Sequence, residues 1–319
     1  MSVVLLAAPS INDEYYVPFF DDIIALFARF VKASHPNDRL LIVSDDATLP
    51  SLEKHIPREN LINGSIFDIW IRDFAPIRTQ AGNFAFIYQP AYLDKDKAYD
   101  FQQSFHDWLS AMQIEVEHVS LVLDGGNFNY NGSDCAVMTD RVLEDNPGFE
   151  KQEIITLLKN RLGLEYLSII PQVPGDVLGH SDGMVIWLSE RQLGISQLEE
   201  PVRSAVFAAL EKEFKEVQLV ELPYEISDRT WLGAEDIVGF GDFGGVYANA
   251  LRTDNAIYVP TFGVQADEVA FEVYCSQATK KIIPVKMGDE TRLGGGLRCL
   301  SWSLNGTDAE KILRNGLRE

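Results

Sequence analysis

Cysteine is scarce in this chain, which has 319 residues and only three cysteines, at positions 135, 275 and 299. Thiols so few and so far apart exclude a disulfide framework and a zinc site built from cysteines. Long apolar runs are also missing, since no stretch approaches the roughly 18 residues of a membrane span. The N-terminal residues lack the basic segment and long apolar run of a secretory signal. We therefore expect a cytoplasmic protein with no membrane partner.

Basic residues are scarce as well, because 27 lysines and arginines stand against 48 aspartates and glutamates, for a net charge of −21. Such a surface repels phosphate backbones, so we expect no nucleic-acid partner. Small cationic molecules are the ligands that such a surface attracts. An acidic surface also serves solubility, so charge alone does not establish a cationic ligand.

Linker-like segments are absent too, because no stretch is rich in proline, glycine and serine and none is of low complexity. Apolar runs of strand length alternate with segments of helical spacing, which is typical of an α/β fold. Helices are predicted at 21–31, 99–112, 151–162, 201–215 and 266–276. The predicted strands around them include 3–8, 39–44, 65–71, 114–119, 120–123 and 246–251. We expect one α/β domain over residues 1–319, made of repeated units of strands around a helix.

Four segments carry polar residues at the ends of predicted strands, where α/β folds place their sites. The first reads FDIWIRDFAP from position 67. Strand alternation would put Asp68, Trp70 and Arg72 on one side and Asp73 on the other. Trp70 and Asp73 share a pocket only if the chain bends before Pro76.

The second segment reads DGGN and begins at Asp124, directly after the apolar residues 121–123. Its two glycines allow a tight turn with open space beside the acid, so Asp124 is a candidate site residue. Asp-Gly is equally a common signal for an ordinary turn between strands, and this segment alone does not separate the two interpretations.

The third segment reads GHSDG at 179–183. His180 and Asp182 are two residues apart, so an extended backbone would point both side chains to the same face. A histidine between glycines, with an acid on its own face, is a candidate general acid or base. Lone histidines are otherwise more often structural.

The fourth segment reads LGGGLRCL from position 293. Three successive glycines let a ligand or another segment come close just before Cys299, which makes this thiol a candidate nucleophile. Free cysteines are more often small buried apolar residues. Cys135 in a predicted strand and Cys275 in a predicted helix fit that description.

Together, the four segments supply one thiol, one imidazole and several carboxylates. Asp73 and Asp182 beside Cys299 would raise the thiol pKa and disfavour the thiolate unless a positive charge arrives. A guanidinium ion supplies that charge, stays protonated and pairs with carboxylates through a planar fork of donors. We therefore expect a small cationic guanidino compound as the partner of this chain.

In this order the segments resemble four motifs of the agmatine deiminase and Porphyromonas-type peptidylarginine deiminase family, within the guanidine-modifying or pentein superfamily. The family motifs are D-x-W-x-R-D-x-G-P, E-G-G-N, G-H-x-D and G-G-G-x-H-C. Residues YAN at 247–249 and VPTFG at 259–263 are similar to two further stretches of the family. The resemblance therefore spans nearly the whole chain.

The resemblance implies a pentein fold, which is a five-bladed α/β propeller of pseudo-fivefold ββαβ units around a central active site. It implies Cys299 as the nucleophile, His180 as the general acid and base, Asp73 and Asp182 as the guanidinium clamp, and Asp124 as the residue that orients the histidine. The predicted substrate-binding residues are Trp70, Asp68, Arg72, Asn127, Gly295 and Arg298. The implied reaction converts agmatine to N-carbamoylputrescine and ammonia through a covalent thiouronium intermediate, with no metal and no organic cofactor.

Three residues depart from the family pattern. Asp124 is one methylene shorter than the expected glutamate, which would displace its contacts by about an ångström. Ala75 replaces the glycine before Pro76. Arg298 replaces the histidine before Cys299, where it either lowers the thiol pKa or contacts a substrate carboxylate.

Alternatives to agmatine hydrolysis remain open at the level of sequence. Free arginine and peptidylarginine are alternative substrates. Free arginine would need a cation for its carboxylate, and the candidates are Arg72, Arg229 and Arg298. Transfer of the amidino group to an amine is a second alternative. A guanidine-binding protein with weak activity is a third, and pairing as a homodimer is left open.

Overall fold

The computed structural model describes residues 1–225 and 243–317 and shows a mixed α/β fold. The strands are β1 (Ser2–Ala7), β2 (Asp38–Ser44), β3 (Leu61–Asn63), β4 (Ile77–Thr79), β5 (Gly82–Ile87), β6 (Glu117–Val122), β7 (Asn129–Tyr130), β8 (Cys135–Thr139), β9 (Tyr166–Ile170), β10 (Val185–Trp187), β11 (Gln192–Ser196), β12 (Gln218–Leu222), β13 (Leu251–Arg252), β14 (Ala256–Thr261), β15 (Lys281–Lys286) and β16 (Trp302–Asn305). The helices are α1 (Phe20–Ala33), α2 (Leu49–Leu52), α3 (Ile71–Phe74), α4 (Lys95–Ala111), α5 (Arg141–Asp145), α6 (Lys151–Leu162), α7 (Val202–Glu213), α8 (Ala266–Gln277) and α9 (Gly306–Gly316).

The strands of the described residues form five separate sheets with one recurring pattern. The sheets have the orders β16-β1-β2-β3, β4-β5-β6, β7-β8-β9, β10-β11-β12 and β13-β14-β15. In each, an antiparallel pair is followed by a parallel pair, as in β10 with β11 and β11 with β12. A helix lies between the two parallel strands because a parallel connection must cross over the sheet.

The sheet that contains β1 joins the two ends of the chain. β1 pairs antiparallel with β16, so that Leu5 lies opposite Trp302. The apolar run of β1 is buried along its whole length, with Val4 and Leu6 in one core cluster and Val3 and Leu5 in another. A strand with cores on both faces explains why this run is continuously apolar rather than alternating.

The five long helices predicted between strands are confirmed, with their ends within a few residues of the predicted ones. The acidic first turn of α1, Asp21 and Asp22, matches the polarity of the helix dipole, and its apolar face is buried. Helix α9 was missed. No helix in the described ranges is long and apolar enough to cross a membrane.

Three strand predictions are wrong. Residues 65–71 form bends that lead into α3, because Asp68 Oδ1 accepts the backbone N–H of Trp70 at 3.0 Å and turns the chain. The predicted pair 114–119 and 120–123 is a single strand, β6, in which Val119 and Leu121 are buried on one face. Of 246–251, only residue 251 belongs to a strand, β13.

Strand β11 lies in the middle of its sheet and was not predicted. Its five residues contain Gly194, which has strand geometry here although glycine weakens strand propensity. A Cβ at Gly194 would lie 3.0 Å from a methyl group of Leu222 on β12. The glycine therefore fits close packing between neighbouring strands, which short-range periodicity does not reveal.

Candidate active site

The first and fourth polar segments line one cavity of about 230 Å³. The second and third segments reach that lining through His180, which lies near Asp73 and Asp124, and through Asp182, which lies near Cys299. Cys299, Asp73, Trp70 and Asp68 all line the cavity. The remaining walls include one acid and three tyrosines that the sequence did not single out, namely Asp13, Tyr15, Tyr16 and Tyr92. The cavity thus combines a thiol, carboxylates and aromatic rings.

The first segment reaches the cavity through a helical turn and not through a strand. Asp68 Oδ1 also accepts the hydroxyl of Tyr16 at 2.9 Å, and burial raises the pKa of Asp68 to about 6. Helix α3 then puts Asp73 in the same cavity as Trp70, while Arg72 lines a different cavity behind it. The strand alternation expected for these residues is therefore wrong, because successive residues of α3 diverge by about a hundred degrees.

The glycine triplet allows two side chains to approach the backbone before Cys299. A Cβ at Gly295 would lie 2.3 Å from the ring of Trp70, and a Cβ at Gly296 would lie 2.7 Å from Asn249 Oδ1. Gly294 has a φ of 88°, which favours glycine. The triplet is thus the surface against which Trp70 and Asn249 pack.

The Cys299 thiol is buried and hydrogen-bonded. Asn249 Nδ2 donates to its Sγ at 3.1 Å, and Asp182 Oδ2 lies 3.5 Å from the same sulfur. Burial raises the pKa of Cys299 well above its ordinary value, and the charges of Asp182 and Asp73 raise it further. The resting group is therefore a neutral thiol.

Asn249 organises this loop and was not predicted as a site residue. Its Oδ1 accepts the backbone N–H of Arg298 at 3.0 Å, and its Nδ2 lies 3.3 Å from the carbonyl oxygen of Asp182. It therefore links the cysteine loop to the segment that carries His180. The sequence signal that could have identified Asn249 was the YAN stretch at 247–249, which resembles a stretch of the family.

His180 lies between two carboxylates. Its Nε2 is 3.2 Å from Asp124 Oδ2, and its Nδ1 is 3.6 Å from Asp73 Oδ1. Burial alone would lower the pKa of His180, but Asp73 and Asp124 outweigh it and raise the pKa to about 9. Burial also raises the pKa of Asp73, to about 7, with Asp124 and Asp182 adding to the effect and His180 opposing it. The resting histidine is an imidazolium at neutral pH.

The backbone is extended at His180, as expected, but not at the residues that follow it. Residues Ser181–Gly183 form a 3-10 turn. The turn nevertheless brings Asp182 Oδ2 within 3.5 Å of the Cys299 sulfur. Asn127 supports the turn, since its Oδ1 accepts the N–H of Ser181 at 3.2 Å and that of Thr139 at 2.8 Å.

Two carboxylate oxygens at the site are buried and have no hydrogen-bond partner among the described residues: Oδ1 of Asp124 and Oδ1 of Asp182. An unsatisfied buried acceptor costs about 1–3 kcal/mol, so such atoms call for donors. A cation with several N–H groups is one source of such donors. No cluster of three or more potential ligands arranged for a metal ion occurs in the described part of the chain.

A family model, described as Porphyromonas-type peptidyl-arginine deiminase, matches residues 1–304. The chain belongs to this family. A curated relative, the putative agmatine deiminase of Marinomonas sp. (strain MWYL1), is 24% identical over 212 residues. That alignment covers 58% of this chain and only 57% of the relative. The resemblance inferred from the four motifs is thereby confirmed.

Solved structures of agmatine deiminases share the fold. The C. jejuni agmatine deiminase has a TM-score of 0.75 at 21% identity, covering 94% of this chain and 92% of that one. The agmatine deiminase of Enterococcus faecalis has a TM-score of 0.76 at 18% identity, with the same coverage. The α/β fold of this chain is therefore the fold of those enzymes.

Two of the departures from the family motifs are accommodated locally. Asp124 Oδ2 reaches His180 at 3.2 Å despite the shorter side chain, so the displacement we expected is not seen in that contact. Ala75 has φ −71° and ψ 153°, a conformation open to any residue, so a glycine is not required there.

The third departure, Arg298, pairs with a carboxylate of the site. Its Nη1 donates to Asp182 Oδ2 at 2.8 Å and its Nη2 to the carbonyl oxygen of Phe128 at 2.6 Å. Arg72 lies against the same loop, with its Nε donating to the carbonyl oxygen of Arg298 at 3.3 Å. Both arginines line the cavity behind the site and not the one that contains Cys299. Arg229 lies outside the described residues.

Proposed function

We propose that this chain is a cysteine-dependent deiminase that hydrolyses the guanidinium group of a small substrate, agmatine, to N-carbamoylputrescine and ammonia. The observation that carries the proposal is the pair of unpartnered carboxylate oxygens, on Asp124 and Asp182, beside a buried thiol and an imidazolium. Membership of the family and the names of its relatives, two of which are agmatine deiminases with solved structures, support it.

The positive charge of the substrate helps to activate the Cys299 thiol. The thiol of Cys299 is protonated at rest because it is buried beside Asp182 and Asp73. A bound guanidinium places a positive charge next to the sulfur and offsets those carboxylates, so the thiol loses its proton when the substrate binds. The nucleophile therefore forms only when there is something for it to attack.

The reaction then proceeds through two tetrahedral species. Cys299 adds to the guanidinium carbon, and the imidazolium of His180 protonates one amino group, which leaves as ammonia. The remaining thiouronium carbon is attacked by a water molecule whose proton passes to the now neutral His180. Collapse of the second species breaks the C–S bond and releases the ureido product. Asp73, Asp124 and Asp182 stabilise the positive charge throughout.

The far end of the cavity favours agmatine over arginine. Asp13 and Asp68 line the walls with Tyr15 and Tyr16, which suits an ammonium group better than a carboxylate. Two arginines considered as carboxylate partners, Arg72 and Arg298, line the other cavity. In the cavity that contains Cys299, Lys97 is the one lysine or arginine among the described lining residues. Its Nζ lies 5.4 Å from the ring centre of Phe101.

We also infer that residues 1–319 form a single catalytic domain with the five-bladed propeller arrangement. Three facts support this: the five sheets share one strand pattern, β16 closes against β1, and the cavity behind the site is lined by residues from the first strand of every sheet. First strands of five repeated units converge on one space when the units are arranged around an axis.

The decisive experiment measures ammonia release from agmatine, free arginine and an arginyl peptide at high enzyme concentration. We expect release from agmatine, little from the other two, and none from Cys299→Ala, which should still bind substrate. Cys275→Ala is the matched control because Cys275 is exposed, and it should retain full activity. Absence of ammonia from all three compounds would refute the proposal, and a preference for arginine would refute the assignment of agmatine.

A further inference from the structure

A second cavity of about 480 Å³ lies behind the active-site loop. Arg72 and Arg298 form part of its wall, while their chain neighbours Asp73 and Cys299 line the catalytic cavity. One layer of backbone therefore separates the two spaces, and the reaction described above uses only one of them.

The second cavity is basic, although the whole chain has a net charge of −21. Besides the two arginines of the dividing layer, its lining contains Arg78, Arg252 and Lys280. The acids in the lining are Glu190 and Asp254. Cations therefore outnumber carboxylates here, the reverse of the rest of the molecule.

Arg298 is paired with Asp182, but the other four of these cations are not neutralised by ion pairs among the described residues. Within the described ranges, none of Arg72, Arg78, Arg252 and Lys280 has a carboxylate oxygen within 4 Å of its charged nitrogens, whereas the surface residue Arg161 pairs with Glu117 at 2.6 Å. Unpaired basic groups held together at a partly buried surface repel one another. An anion between them would remove that repulsion.

Two of the guanidinium groups also have a nitrogen that donates no hydrogen bond among the described residues. Arg78 uses Nη2 on the carbonyl oxygen of Asn305, and its Nη1 has no acceptor among the described residues. Arg252 uses Nη1 on the carbonyl oxygen of Asn131, and its Nε has none. Burial lowers the pKa of Arg78, Arg252 and Lys280 from their ordinary values, which marks the positive form as under-stabilised.

We propose that this cavity binds a small oxyanion with two or more negative charges, either a phosphate group or a polycarboxylate. Both carry several oxygens that accept in the fork geometry of guanidinium groups, and both fit a space of about 480 Å³. The agmatine cation does not suit it. The site is independent of the proposed deiminase reaction, since it uses side chains from β4 and β13 that do not reach the catalytic cavity.

Isothermal titration calorimetry on the full chain tests the proposal, with inorganic phosphate and citrate as separate probes and sodium chloride at matched ionic strength as the reference. We expect saturable binding of at least one of the two anions. Arg78→Gln and Arg252→Gln should each weaken binding about tenfold, because each removes a charged donor. The control Arg161→Gln, which removes an exposed arginine, should bind as the unmodified chain does.

Absence of saturable heat with both anions would overturn the proposal, as would equal weakening by Arg161→Gln. If circular dichroism shows that an arginine variant has not folded, binding to the unmodified chain still tests the proposal. Phosphorus NMR should then show broadening of the phosphate signal by the protein and its reversal by citrate. A phosphate signal unaffected by the protein, with no citrate binding in the calorimeter, would refute the site.

Discussion

At the scale of single residues, the site rests on an unusual pairing of protonation states. Cys299 is a thiol at rest and His180 an imidazolium, because buried carboxylates disfavour the thiolate and favour the cation. The reacting pair, thiolate and imidazolium, has one proton fewer. A proton must therefore leave Cys299 and His180 before the proposed attack, and the two groups titrate as a coupled pair.

The pH profile of kcat/KM follows from this proton count. His180 has a pKa raised to about 9, so kcat/KM for agmatine should rise about tenfold per pH unit above pH 7 and level off near pH 9. Below pH 7 the rise should be steeper, because Asp73, with a pKa of about 7, then also takes up a proton and loses its charge. Initial rates between pH 5.5 and 10 provide the measurement.

Asp124→Asn sharpens that measurement. Loss of one carboxylate partner lowers the pKa of His180, so the upper break in the profile should move to lower pH while overall activity falls. A profile already flat from pH 6 upwards in the unmodified enzyme would contradict the assigned protonation states.

The Arg298–Asp182 pair gives a second prediction at this scale. Arg298→Met leaves a buried carboxylate without its cation, which typically costs about 3–5 kcal/mol in the free energy of unfolding. Arg298→Lys retains the charge but not the fork that also reaches Phe128, so it should cost less. Urea denaturation measures both.

A double-mutant cycle with Asp182→Asn isolates the pair. Because the neutral amide no longer needs a cation, Arg298→Met should be less destabilising in that background than in the unmodified chain. Strictly additive losses would show that Arg298 stabilises the fold through its backbone contacts alone.

At the scale of elements, the turn at residues 125–127 determines where Asp73 and His180 lie. The N–H of Gly126 donates to Asp73 Oδ1 at 3.0 Å, and a Cβ on this glycine would lie 2.4 Å from that oxygen and 2.5 Å from Nδ1 of His180. Gly126→Ala should therefore displace both groups and lower kcat/KM by on the order of 10²-fold. Gly148→Ala is the matched control, because its Cβ would meet nothing within 4 Å. Equal activity of the two variants would contradict this role of the turn.

The elements themselves show what a sequence does and does not determine. Helix α6 has the predicted bounds, because its apolar spacing is regular and Gly163 in the left-handed conformation ends it. Residues 65–71 are equally apolar, yet Asp68 bonds to the backbone of Trp70 and bends the chain. A side-chain hydrogen bond of this kind competes with a strand without altering the apolar pattern.

At the scale of the whole molecule, the two cavities differ in charge and in how visible they are in the sequence. The side chains proposed as catalytic lie next to glycine-marked turns, so local patterns pointed to Asp124, His180 and Cys299. Arg78 and Arg252 are 174 positions apart by their numbers and lie in unremarkable strands, and only the arrangement of the five sheets brings them to one space. A net charge of −21 gives no hint of a basic interior.

A buried polar cluster around Asp38 links two of the sheets. Asp38, the first residue of β2, is buried; its Oδ2 accepts the hydroxyls of Thr253 and Tyr258, both at 2.7 Å, and its Oδ1 accepts Asn255 Nδ2 at 2.6 Å. These three partners belong to or adjoin β13 and β14. The cluster therefore connects the β16-β1-β2-β3 sheet to the β13-β14-β15 sheet.

Asp38→Ala removes the acceptor for all three donors and should lower the free energy of unfolding by about 3 kcal/mol. Tyr258→Phe, which removes one donor, should cost about 1 kcal/mol. Asp46→Ala is the matched control because that aspartate is exposed and, within the described ranges, its side chain accepts only from Asn63, so the change should cost under about 1 kcal/mol. Urea denaturation gives the three values, and kcat at a temperature where all variants are folded should be unchanged. If Asp38→Ala were no more destabilising than Asp46→Ala, the cluster would not be what holds these two sheets together.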